Sequence, residues 1–132
     1  MAERTVLVQV VTIQRAERPT GLRIWSDGIV QRGVGELPGP TELLEKDRTL
    51  DWTDVQPLNG DQLAEIRSAI GQSGIFDLEP RLLINYCKED PGVAIWTVNL
   101  DGQTARVAVY DPRPRRSAQL DRLTQAINGV LA

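Results

Sequence analysis

Apolar and polar positions alternate only partly from Thr5 to Arg15, with Val6, Val8 and Val10 on one side and Leu7, Val11 and Ile13 on the other. This pattern predicts a long β-branched strand with both faces partly covered. Arg18-Pro19-Thr20-Gly21 ends it, and Leu22-Arg23-Ile24-Trp25 and Ile29-Val30-Gln31-Arg32 then flank Ser26-Asp27-Gly28. A three-residue loop with Gly28 in the left-handed conformation pairs Ile24 with Val30 and Trp25 with Ile29. A two-residue loop would set Ile24 against Gln31 and mix the faces, so the longer loop is expected.

The pattern fades from Gly33 to Asp51, where Gly33, Gly35, Pro38, Gly39 and Pro40 punctuate the chain. Thr41 to Glu45 can cap one short helical turn there. Trp52-Thr53-Asp54-Val55 reads either as a short strand or as an ordered lead into a helix. That helix has Asn59 as N-cap, Gln62 completing a capping box, and Asp61 at its positive start. Leu63, Ile66 and Ile70 recur at helical spacing, Gly71 and Gly74 supply the stop, and Ile75 to Leu78 fold back under the helix before Pro80.

Val93 to Leu100 and Gln103 to Tyr110 flank Asp101-Gly102. A two-residue turn sets Trp96 beside Val107 and Val98 beside Ala105. A three-residue loop sets Ile95 beside Val107 and Thr97 beside Ala105, and the pattern leaves both registers open. Ser117 can cap a last helix whose Leu120, Leu123, Ile127, Val130 and Leu131 form one stripe. The two halves echo each other, each with strands around an Asp-Gly turn and an amphipathic helix. The expected fold is therefore α+β, of two layers, with an antiparallel sheet of four to six strands and two amphipathic helices on one face.

Composition narrows the chemistry. At 132 residues the chain predicts a single domain, 1–132. With 41% apolar and 25% charged residues it belongs with globular proteins rather than disordered or fibrous ones. There is no histidine, which removes Ser-His and Cys-His pairs and imidazole metal sites. A single cysteine, Cys87, removes internal disulfides and multi-cysteine metal sites. No cofactor and no metal are therefore expected. No signal peptide or spanning segment is visible at the start or along the chain, so the expectation is a cytoplasmic protein without a membrane partner.

Five segments are candidate sites. Asp47, Asp51, Asp54 and Asp61 lie close in sequence and could serve acid–base chemistry or a hard cation, but they lack the spacing of a calcium loop and read as solvation and capping. Gly33-Val34-Gly35-Glu36-Leu37-Pro38-Gly39 lacks the strand-to-helix setting of a phosphate cradle and reads as a bulge or exposed loop. Asp111-Pro112-Arg113-Pro114-Arg115-Arg116 could receive a phosphate or carboxylate, and otherwise is a stiff solvated connector. A net charge of −3 argues against nucleic acid as the partner. Tyr86-Cys87-Lys88 could hold an activated thiol, though a cysteine is more often a small buried hydrophobe. Trp25 and Trp96 are expected in the core, whereas Trp52, beside the long loop, is the better binding anchor because it need not belong to a sheet face. The residues assigned to partner binding are Trp52, Glu42, Asp47, Tyr86, Lys88, Arg113, Arg115 and Arg116, and no residue is assigned to catalysis.

Several segments together carry a resemblance. They are Leu22-Arg23-Ile24-Trp25-Ser26-Asp27-Gly28, the helix ending in Gly74-Ile75-Phe76-Asp77-Leu78, Trp96-Thr97-Val98 through Asp101-Gly102 to Arg106-Val107-Ala108-Val109, and the leucine-rich terminal helix. In this order they resemble emfourin-type proteins, and equally a group of small bacterial α+β domains of unknown function. The resemblance implies inhibition of thermolysin-like metallopeptidases such as protealysin. No inhibitory residue carries over: Arg15-Ala16-Glu17 stands where the family has a Gly-Gly pair, and Gly33 to Asp51 is an insertion. The leading expectation is a non-enzymatic module that binds an unknown protein partner. Peptidase inhibition is the alternative, and a small enzyme using carboxylates or Cys87 is the third.

Overall fold

The strand Val6–Ile13 (β1) is flanked on both sides, and the rest of the sheet is built outward from it. The computed structural model describes residues 5–13, 17–37, 49–77, 81–83, 93–110 and 118–131. The other elements are β2 (Thr20–Trp25), β3 (Val30–Val34), β4 (Asp51–Asp54), α1 (Gly60–Ser73), β5 (Arg81–Leu83), β6 (Val93–Leu100), β7 (Gln103–Tyr110) and α2 (Ala118–Leu131). They form a single sheet in the order β4-β3-β2-β1-β6-β7-β5. Six of its strands pair antiparallel, which establishes the α+β fold. The seventh is a correction to the expected sheet: β5 adds to β7 in parallel. Three residues are too short to show a period of two, so this strand leaves no pattern to read.

The β2–β3 turn has the expected form. Ile24 stands opposite Val30, the Trp25 N–H donates to the Ile29 carbonyl at 2.9 Å, and Gly28 has φ 94°. The β6–β7 turn takes the two-residue form, pairing Trp96 with Val107 and Val98 with Ala105. Asp101 and Gly102 have φ 49° and 81°, the two left-handed residues of a primed turn whose twist suits a hairpin.

Asn59 and Gln62 form the reciprocal capping box at the start of α1, at 2.8 and 2.9 Å. Gly74, in the left-handed conformation with φ 76°, caps the end; Gly71 lies within the helix and does not stop it. The chain then makes a 3-10 turn from Ile75 to Asp77 that buries Ile75 completely. Buried Ser73 satisfies its hydroxyl by donating to the Ile70 carbonyl and accepting from the Ile75 N–H. Ser117, the expected cap of α2, lies outside the described residues.

The main core joins Val8, Ile24, Val30, Trp96, Val98 and Val107 of the sheet to Ile66 and Ile70 of α1 and to Leu123, Ile127 and Val130 of α2. Each large apolar side chain buried there contributes about 1.5–3 kcal/mol. A second cluster, Val11, Ile13, Leu50, Val93, Ile95 and Ala108 with Trp52 packed against it, contains no residue of either helix. Leu7 departs from expectation by joining the main core. The register of β1 against β2 shifts between Val6 and Val8, and such a bulge breaks strict alternation.

Candidate functional site

The face that carries the second cluster is divided lengthwise. Along one line, opposed residues run Trp52, Gly33, Gly21, Val11, Ile95 and Ala108 from β4 to β7. Along the next, they run Asp54, Gln31, Arg23, Gln9, Thr97 and Arg106. Side chains two apart on a strand share a face, so the apolar line, whose Val11, Ile95 and Ala108 are buried, and the polar line lie side by side on one face of the sheet.

Glycines make the apolar line possible. A Cβ on Gly21 would stand 2.7 Å from the Trp52 ring and 2.8 Å from the Leu50 side chain. On Gly33 it would meet the Trp52 ring at 2.9 Å, and on Gly35 the Leu50 side chain at 2.6 Å. The bare backbone of β2 and β3 is thus the bed on which Trp52 and Leu50 lie. This corrects one expectation, since Gly33 sits inside β3 rather than in a bulge or exposed loop; of the two readings open for Trp52 to Val55, the structure takes the strand, β4, which puts Trp52 on a sheet face.

The polar line holds its side chains through direct contacts. The Arg23 guanidinium carbon lies 3.8 Å from the centre of the Trp52 ring and 5.4 Å from that of Trp25, both within cation–π range. Arg23 Nε donates to Gln9 Oε1 at 2.8 Å. Trp25 Nε1 donates to Gln31 Oε1, and Gln31 Nε2 donates to Asp54 Oδ1, each at 2.8 Å. Gln31 is therefore fixed at both ends of its amide. Trp25 also departs from expectation: it is half-buried beside Arg23, outside both core clusters, while Trp96 is in the core as expected.

Near the start of β1 the polar line opens onto a groove of about 710 Å³, walled by Trp25, Ser26, Arg67, Thr97 and Asn99. Its walls are tied together. Asn99 Nδ2 donates to the Val6 carbonyl at 2.8 Å, the Thr104 hydroxyl donates to Asn99 Oδ1 at 2.6 Å, and the Thr5 N–H donates to the Ser26 hydroxyl at 3.1 Å.

Of the residues assigned to partner binding, the structure places Trp52 on this face, at the β4 end of the apolar line with its ring over Gly33 and Gly21. Glu42, Asp47, Tyr86, Lys88, Arg113, Arg115 and Arg116 lie outside the described residues, as does Cys87. Asp51, Asp54 and Asp61 are exposed and separated, on the two faces of β4 and on α1. Among the described residues, no three His, Cys, Asp or Glu side chains gather as a metal site, and no helix is long and apolar enough to cross a membrane.

Sequence reasoning passed over Arg23, Gln31 and Gln9, and took Asp54 only as one of a group of carboxylates. Part of the signal was present, since the three-residue turn that pairs Ile24 with Val30 also pairs Arg23 with Gln31. The rest depends on β4, whose place beside β3 no local pattern announces. Compared with known proteins, the chain matches no family model and no curated protein.

Proposed function

We propose that the protein is a non-enzymatic binding or accessory module of two layers. Both helices cover the Trp96 face of the sheet, and a protein partner is taken on the opposite face. The observation that carries this reading is the Arg23 guanidinium held between Trp25 and Trp52 on the sheet face whose apolar cluster contains no residue of either helix. Trp and Arg are the residue types most often found at the energetic centre of interfaces. Here they are already ordered by Gln9, Gln31 and Asp54, so a partner meets side chains whose freedom is largely spent in advance. The described part of this surface offers stacking area and hydrogen-bonding groups, a chemistry of recognition.

Affinity capture from host lysate, followed by mass spectrometry, tests the reading. Wild-type protein is compared with Arg23→Ala and with Glu65→Ala, a change on the exposed side of α1. A partner retained by wild type and Glu65→Ala but lost from folded Arg23→Ala supports the assignment. Equal retention by all three contradicts it.

A further inference from the structure

We propose that the outer edge of β4 accepts an extended, basic segment of a partner protein as an added strand, an inference that rests on reading the protein as a binding module. Among the described residues, β4 is a terminal strand of the sheet and pairs with β3 alone. The Val55 N–H donates to the Val30 carbonyl at 2.8 Å. By alternation Asp51, Thr53 and Val55 turn their backbone groups toward β3, and Trp52 and Asp54 turn theirs outward. An outward row of donors and acceptors is a template for strand addition.

The charges on β4 select the occupant. Asp51 and Asp54 are both exposed and point to opposite faces of the sheet. A second copy of β4 pairing antiparallel about a twofold axis at Thr53 would set Asp54 against Trp52 and Asp51 against Val55, gathering four carboxylates on two short strands, a charge arrangement that opposes self-association. A segment with two lysines or arginines three positions apart sets a cation against each carboxylate instead.

The test uses the full chain, labelled with nitrogen-15, and a capped hexapeptide with two lysines three positions apart among valine and threonine. Peptide at millimolar concentration should shift the β3 and β4 amides and slow hydrogen exchange at Trp52 and Asp54. Replacing both lysines by glutamate should weaken binding about threefold to tenfold at low salt, as expected for two exposed ion pairs. Asp54→Pro, which removes an outward N–H, should abolish binding; if that variant does not fold, Asp54→Lys should weaken it about as much as the glutamate peptide does. Four results overturn the proposal: Trp52 and Asp54 amides already protected in the free protein, equal affinity for both peptides, shifts confined to other strands, or dimerisation through β4. None of them touches the Arg23 capture experiment, so the edge can fail while the binding reading stands.

Discussion

The Arg23 guanidinium lies over the Trp52 ring, its carbon 3.8 Å from the ring centre, although the two residues are far apart in the chain and on strands separated by β3. The contact exists because Gly33 and Gly21 leave the intervening backbone bare, allowing the indole to reach across two strands. The cation–π contact and the packing of the indole on the glycines are therefore coupled at this point of the sheet.

The coupling is measurable by a double-mutant cycle. Arg23→Ala and Trp52→Phe, alone and combined, should give an interaction energy of about 0.5–2 kcal/mol by chemical denaturation. Additive effects would show that the pair is only a juxtaposition.

The glycine bed makes a sharper demand. Gly33→Ala places a methyl group against the Trp52 ring and the Leu50 side chain, so a loss of about 1–3 kcal/mol is expected. Denaturant midpoints check this, and a midpoint equal to that of wild type would mean that Trp52 does not lie on β3.

Two turn glycines should differ in a defined order. Gly102→Ala meets nothing within 4 Å, so its cost is the left-handed backbone alone, about 1–2 kcal/mol. Gly28→Ala adds a clash, its Cβ 2.7 Å from the Leu58 carbonyl oxygen, which itself follows the link from the Leu58 N–H to the Gly28 carbonyl. Thermal melts should rank Gly28→Ala as the less stable; the reverse order would refute this account of the loop.

Two changes separate cap from core. Asn59→Ala removes the capping box of α1 and should cost about 1 kcal/mol while leaving the fold intact. Ile127→Asp puts a carboxylate into the main core and should unfold the domain or loosen its helical layer. Circular dichroism melts distinguish the two, and reversible melting of Ile127→Asp at the wild-type temperature would be incompatible with the described packing.

Much of this fold was legible in the chain, for reasons that are local. Asp27-Gly28 and Asp101-Gly102 carry the turn chemistry, and Asn59 with Gln62 announces the start of α1. Ile66 and Ile70 repeat at the spacing of one helix face. The glycines at 21, 33 and 35 were visible but read as breaks, because their purpose is set by Trp52 and Leu50, which reach them from β4 and the residue before it. Trp25 read as a core residue because an indole on a strand is usually buried. What places it beside Arg23 is their spacing of two on β2, which puts both on the face away from Ile24, and the amide of Gln31 holds its ring there. Long-range pairing, which no short window contains, decided the site.

The central claim is that the surface around Arg23 takes a protein partner. Its most direct measurement is capture by wild-type protein against Arg23→Ala, with the melting temperature of each recorded first. A partner present with the first and absent with a folded second is the predicted result; the same partner at the same level on both would contradict the account.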